Sequence, residues 1–349
     1  MAALWRLASY QPRVCATQAP LGGRIKSAPE DFVVEELPAV TPCGFGEHLV
    51  LWLEKRDVPA DRLVGRLAHA LQVPPRSIGM AGRKDTRAVA RQHISVPASA
   101  ADAVARLHLE GVRILSAQRH THKLRTGQLH GNRFTIRVRA LPPEAAAQAT
   151  AMAELLRTRG LPNYFGLQRF GHEGNTLRQG VAMLRENERP RRGRLAQLAA
   201  SALQSALFNG VVARRVETGT LMQPIAGDLL LEPGSDTLFW WEEANADRPT
   251  GPVAAAAAPV PTGPLWGPKM RRPRGAAATL EQAVLHASGL GEADFDALRK
   301  LAPGARRPVA VQPRGLTVEP DADAITVRVT LPAGVYATVL LAELFGALG

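Results

Sequence analysis

Cysteine is almost missing from this chain: two residues in 349, Cys15 and Cys43. Two thiols that form no CxxC pair exclude a four-thiolate zinc site. Such sparse use fits a reducing compartment, so a cytoplasmic location is expected. No apolar run reaches membrane-spanning length. The opening MAALWRLASYQPR is interrupted at Arg6 and has neither a signal-peptide core nor a small-residue cleavage site, so no membrane association is expected. GxxxxGK[ST], a Rossmann GxGxxG and GxSxG are absent too. These absences remove P-loop nucleotide hydrolysis, dinucleotide redox chemistry and a serine hydrolase. Nothing in the sequence demands a cofactor. His93, His108, His120, His122 and His130 make a loose histidine-rich stretch, but no carboxylate or cysteine stands at ligand spacing, so no metal is expected. There is no internal repeat and no heptad seam, which leaves a monomer as the expectation.

Acids are scarce as well. Against 43 Lys and Arg there are 31 Asp and Glu, giving a net charge of +12 and a pI near 10.7. That balance favours a polyanionic partner, nucleic acid first, although an arginine-rich composition overall would give the same number. Hydrophobic residues make up 46%, enough for a full core, and the length fits one large domain or two ordinary ones.

Residues 25–53 read as strands around a TPCGFG turn. A helix opens at Pro59 and Asp61, with Leu63, Val64, Leu67, Ala68 and Leu71 at helical spacing, and stops at Pro74 and Pro75. Residues 94–96 read as a strand, 98–109 as a helix, and 111–139 as two or three strands. In FTIRVRA, Phe134, Ile136 and Val138 alternate with Thr135, Arg137 and Arg139, so one face is apolar and the other cationic. Helices are expected over 145–160, 173–187 and 195–216, the last with an apolar stripe of Ala200, Leu203, Leu207 and Val211. Residues 222–241 have strand and turn character. Residues 245–275, rich in Pro, Gly and Ala, read as loop or linker. They contain KMRRPR at Lys269–Arg274, a solvated mobile loop or a phosphate contact. A helix over 279–301, strands over 309–318 and 324–331, and a helix from about Tyr336 complete the chain.

Chemistry concentrates in GMAGRKDTRAVARQHISV, Gly79 to Val96. Asp85 follows a glycine-rich turn, where an aspartate ordinarily caps a turn or helix. Here Arg83, Lys84, Arg87 and Arg91 surround it with positive charge, a field that draws phosphates, and Gly79 and Gly82 allow close backbone approach. A positioned carboxylate of this kind can serve as a covalent nucleophile. Phe32 in APEDFVVEE and Phe134 in GNRFTIRV are core strand residues by default, and alternatively faces for stacking an unpaired base. Asn132 is by default a turn residue whose amide can also reach a carboxylate. PNYFGLQRFG, with Gln168 and Arg169, suits base stacking and phosphate contact or a packed hinge equally well.

Taken in order, IKSAPEDFVVEE, GRKDTRAVARQ, the basic stretch ending HGNRFT, PNYFGLQRFG, SALFN and LPAGVYATVLLAEL resemble the TruD family of tRNA pseudouridine synthases along nearly the whole chain. The resemblance implies an α+β architecture. A catalytic domain of pseudouridine-synthase fold, a mixed and mainly antiparallel sheet with flanking helices, would comprise 1–160 and 308–349. An inserted α/β TRUD domain would occupy 161–307, the two lobes enclosing a basic cleft. It implies cofactor-free isomerisation of uridine 13 in the D arm of tRNA, with the uridine flipped out. It makes Asp85 the nucleophile, Lys26 the basic partner of its carboxylate and Asn132 the residue that orients it. Phe32 and Phe134 become aromatics at the target base, and Gln168, Arg169, Lys84 and Arg307 further substrate contacts. The carboxylate would attack C1′, assist through C2′ deprotonation and a glycal, or attack C6. Two other readings are a non-catalytic RNA-binding or RNA-folding module and a DNA-binding protein. The first has little need for a carboxylate among phosphates, and the second lacks any recognisable helix-turn-helix, zinc or basic-zipper pattern.

Overall fold

The structure, a computed structural model, describes residues 1–15, 20–185, 193–232, 234–242 and 258–349. In chain order the elements are α1 (Ala2–Ser9), β1 (Phe32–Pro38), β2 (His48–Arg56), α2 (Ala60–Ala70), β3 (Gly79–Met80), β4 (Val89–Pro97) and α3 (Ala101–Ala105). There follow β5 (Val112–His120), β6 (Leu129–Arg139), α4 (Ala145–Arg159), β7 (Leu161–Pro162), α5 (Asn175–Arg185) and α6 (Arg194–Glu217). Next come β8 (Leu229–Leu231), β9 (Leu238–Trp240), β10 (Val260–Leu265), α7 (Gly275–Ala287) and α8 (Glu292–Ala297). Last are β11 (Ala305–Pro308), β12 (Ala310–Val311), β13 (Arg314–Asp321), β14 (Ala324–Pro332) and α9 (Ala337–Phe345). Packing divides the chain into two units. One is Met1–Ala19 with Ala151–Pro313 and Val335–Leu344; the other is Pro20–Thr150 with Arg314–Gly334 and Phe345–Gly349.

The second unit is built on one sheet ordered β13-β14-β6-β1-β4-β2-β5, with β3 added along β4. Only β1 and β4 run parallel; every other pair is antiparallel. This is the mainly antiparallel α+β sheet that the family resemblance implied. Alternation sorts its residues. Leu49, Leu51 and Leu53 of β2 and Ile94 and Val96 of β4 pack against Leu63 and Leu67 of α2 and Val104 beyond it. The α2 pattern holds as read, but the helix expected over 98–109 shrinks to a 3-10 turn and the five residues of α3.

The opposite sheet face is less cationic than the alternation of β6 suggested. Arg133 and Arg91 both bind Glu35, and Arg91 and Arg113 both bind Glu54, so a charge ladder runs across β6, β1, β4, β2 and β5. Arg137 reaches Asp321 at 2.7 Å, and Arg139 clasps the buried Asp31 at 2.8 Å. The hydrogen bonds from Arg139 prevail over burial and hold the Asp31 carboxyl below the usual carboxylate range. The acids that neutralise these arginines come from distant segments, so the local pattern of β6 does not show them.

In the other unit α6 is the central helix. An apolar stripe was expected; in fact the helix is buried on nearly all sides between Ala196 and Arg215. It is the only helix among the described residues long and apolar enough to cross a membrane, and it is a core helix. Gly210 lets neighbours close on it: a Cβ there would stand 2.7 Å from Leu7 and 2.8 Å from Val284. The buried polar residues of α6 are occupied. Gln204 donates to the Trp266 carbonyl at 2.6 Å, and Arg215 pairs with buried Asp228.

The loop expected over 245–275 needs correction. Residues 243–257 lie outside the described set, but β10, sequence VPTGPL, is an inner strand of a sheet ordered β11-β10-β8-β9. Its prolines remove ladder donors, yet the Pro261 carbonyl accepts from Val309 N at 2.9 Å and Thr262 Oγ1 donates to Leu229 O at 2.7 Å. Gly263 lets the Phe208 ring approach to 3.0 Å of where a Cβ would stand. Tertiary pairing thus overrides a composition that reads as loop. KMRRPR is a loop, as read, with Lys269 and Arg274 exposed, but it is not free of partners: Arg271 and Arg274 each lie 3.9 Å from the Trp240 ring centre, and Arg272 pairs with Glu292 at 2.9 Å. The helix expected over 279–301 is α7 and α8, parted at Gly289, whose φ is +75°. Arg306 and Arg307 lie within β11.

Candidate active site

Asp85 stands in the loop of residues 81–88 that joins β3 to β4. Gly79 is required just before it, because a Cβ there would fall 2.3 Å from the Leu124 carbonyl; Gly82 faces no such limit, its nearest neighbour being the Lys84 ammonium at 3.3 Å. Backbone bonds from Gly127 N to Ala81 O (2.8 Å) and from Asp57 N to Ala88 O (3.1 Å) tie down both ends of the loop. Arg83 pairs with Asp61, and Arg87 donates to the Ser27 carbonyl at 3.0 Å.

The structure brings Lys26 to Asp85, with Nζ 3.3 Å from Oδ1. Lys26 does not lie in a strand. It follows an isolated bridge between Arg24 and Arg139 and takes φ +56°, a left-handed conformation unfavourable for a non-glycine residue. That conformation is held while its ammonium sits 4.3 Å from the Phe32 ring centre, so one cation touches both the carboxylate and an aromatic face. Phe32 meets Phe134 edge to face at 5.9 Å. The rings are 1% and 6% exposed, the burial that the core reading of both residues requires.

Lys84 turns away from Asp85. Its ammonium is buried and lies 2.6 Å from Glu36. Glu36 also accepts from His93 N at 3.1 Å, with His93 Nδ1 at 3.4 Å. Burial pushes the Glu36 carboxyl up, but the hydrogen bonds from His93 and the Lys84 charge outweigh it and hold the group below its ordinary value. Asn132 is directly opposite Glu36 in the β1–β6 register, and its Oδ1 is buried without a hydrogen-bond partner. Glu36 escaped the sequence reading, although alternation in FVVEEL places it on the inward face with Phe32 and Val34. An acid at an inward strand position was the available signal. Lys55 escaped for the same reason: it follows Leu51 and Leu53 on the inward side of β2, is fully buried, and donates to the Asp85 carbonyl at 2.5 Å.

Gln168, Arg169 and Arg307 lie in the other unit. Tyr164, Phe165 and Phe170 of PNYFGLQRFG are buried, whereas Gln168 is exposed on a 3-10 turn. Arg169 donates to Ser201 and Ser205, and its guanidinium lies 5.6 Å from the Phe165 ring centre. Arg307 stacks on the same ring at 4.3 Å and donates to Asn163 Oδ1 at 2.5 Å. Burial, aided by the nearby Arg169 charge and opposed by Tyr336, pushes the Arg307 guanidinium down to about 10. Asn209 of SALFN clamps this segment: Oδ1 accepts from Phe165 N at 2.8 Å, and Nδ2 donates to the Phe165 and Ala8 carbonyls. Among the described residues no group of three or more His, Cys, Asp or Glu is arranged to hold a metal ion.

A family model for tRNA pseudouridine synthase D (TruD) matches residues 12–190 and 192–344. The chain belongs to the TruD family. A tRNA pseudouridine synthase D from Anaeromyxobacter dehalogenans is 39% identical over 339 residues, covering 95% of each chain. One from Geobacter metallireducens is 36% identical over 386 residues, covering 92% of this chain and 94% of the relative. The TruD crystal structure from Methanosarcina mazei, 22% identical, superposes with a TM-score of 0.77 over 100% of this chain and 98% of the other, and so shares its fold. The residues around Asp85 described above therefore belong to a TruD-family protein whose acid and base groups converge on one loop.

Proposed function

We propose that this TruD-family chain isomerises uridine to pseudouridine at position 13 in the D arm of tRNA, with Asp85 as nucleophile. The observation that carries the reading is the half-exposed Asp85 carboxylate, 3.3 Å from an ammonium that also lies on the Phe32 ring. The isomerisation breaks C1′–N1 and forms C1′–C5, with no net change in atoms or electrons. Asp85 attacks C1′ and the uracil departs with the bonding pair on N1. The Lys26 ammonium lies where it can attract both the carboxylate and the departing anion. After the base turns, C5 attacks C1′, the carboxylate leaves, C5 loses its hydrogen to solvent and N1 gains a proton. In the glycal route the same carboxylate removes the C2′ hydrogen instead. Either route requires the nucleotide to leave the stack. Phe32 and Phe134, packed edge to face, form an aromatic wall that retains a detached uracil, and Asn132 lies opposite Glu36 on the neighbouring strand.

In this reading the catalytic domain is 1–160 with 308–349 and the insertion 161–307, with Arg169, Gln168 and Arg307 contributing RNA contacts. Lys84, ion-paired and buried, acts by holding the loop rather than by touching phosphate. The test of position is a pair of tRNA transcripts, one with uridine 13 and one with cytidine 13. Pseudouridine is expected at that position in the first and nowhere in the second. Modification at another site in both transcripts contradicts the assignment to position 13.

A further inference from the structure

Lysine is the rare cation of this chain, six residues against 37 arginines, and three of the six concern Asp85: Lys26 and Lys55 contact it and Lys84 is its neighbour in sequence. Two have carboxylate partners. Lys55 is different: it is fully buried at the end of β2, and its ammonium donates to two backbone carbonyls, Val58 O at 2.8 Å and Asp85 O at 2.5 Å. A buried ammonium met only by carbonyls is costly to maintain. Burial pushes its proton affinity down to about 8. The Asp85 charge, and less strongly Asp57, oppose that shift; Lys84 and Lys26 add to it. Asp85 meanwhile lies outside any strand or helix, on a loop whose flanking residues Lys84 and Arg87 point to other partners. The Lys55 bond reaches the backbone of Asp85 itself.

We infer that Lys55 is a positioning residue for the reaction: its ammonium fixes the Asp85 backbone through the Asp85 carbonyl and keeps a buried positive charge at that residue before the substrate arrives. This rests on the reading of Asp85 as the nucleophile. Lysine suits the task because a compact ammonium donates to two carbonyls at once from within a packed interior, where the wide planar fork of arginine needs more room. A displacement of about 1 Å in a reacting group costs on the order of 100-fold in rate. Lys55 therefore acts on the chemical step and not on RNA affinity.

The test compares wild type, Lys55→Met and Asp85→Asn in three measurements: single-turnover pseudouridine formation with saturating enzyme, tRNA affinity and thermal unfolding. Lys55→Met is expected to unfold cooperatively, to bind tRNA within about twofold of wild type and to lose roughly 100-fold in single-turnover rate. A rate within about threefold of wild type overturns the inference. Should Lys55→Met fail to fold, protein with ¹³C-labelled lysine supplies the second arm, since six lysines give an assignable spectrum. The Lys55 Cε signal is expected to titrate near 8, below the ordinary lysine value, and lower still in Asp85→Asn, because the carboxylate that supports its charge is gone. A Lys55 signal that titrates at the ordinary value for a lysine and ignores Asp85→Asn overturns it as well. If Asp85→Asn itself retains full turnover, the nucleophile assignment fails first. An inactive Asp85→Asn beside a fully active Lys55→Met refutes only the role given to Lys55.

Discussion

Replacing Asp85 by Asn removes pseudouridine formation by at least about three orders of magnitude, because an amide neither attacks C1′ nor takes up the C2′ proton. The fold and the RNA affinity survive the change. The side chain is 47% exposed and isosteric with its replacement, so the stability change stays within about 0.5 kcal/mol. Affinity for tRNA is expected to hold or rise slightly, since a negative charge that repels phosphates is lost. Single-turnover assays at saturating enzyme, with binding measured separately, distinguish this from a binding defect. Turnover within tenfold of wild type would remove Asp85 from the mechanism whichever route the glycosidic bond takes.

The second large effect is on stability. Glu36→Gln leaves the Lys84 ammonium buried without its carboxylate, at a cost of about 3–5 kcal/mol. The melting of the unit containing β1 should fall by roughly 2–4 °C per kcal/mol. Replacing both partners, Glu36→Gln with Lys84→Met, should recover most of the loss, and the double-mutant cycle then reads the coupling directly. The sign of the pH dependence follows from the depressed Glu36 carboxyl. Its contribution is complete above the unfolded value, near 4.3, and is lost as pH falls through the folded value. Acid unfolding of wild type should therefore show a step below about pH 4 that Glu36→Gln lacks. Equal acid profiles for the two proteins would show that the pair does not hold the loop.

What the sequence made visible, and what it hid, divides along physical lines. The pairing of Asp85 with Lys26 was legible only through the family resemblance; the structure shows it, with adjacent Lys84 turned toward Glu36. The core helix α2 and the apolar face of β6 followed from periodicity alone. Glu36 and Lys55 were hidden because charged residues are ordinarily read as solvated. Only strict alternation, with Leu53 two residues before Lys55 and Val34 two before Glu36, marks them as inward. The charge on the outer face of β6 was overestimated, since Glu35, Asp31 and Asp321 meet it across the fold rather than along the strand. The strand β10 was hidden by its own prolines, whose lost donors are offset by Thr262 and by carbonyl bonds to distant residues. Local rules fail here where the partner is remote in sequence.

One measurement tests the central claim most directly: incubation of the purified protein with tRNA tritiated at uracil C5, following tritium release to water. The account predicts release of one tritium per tRNA, matched by one pseudouridine in the D arm, from wild type and none from Asp85→Asn. Tight tRNA binding by wild type with no release would contradict it, and would make the Lys26–Asp85 pair part of an RNA-binding surface instead.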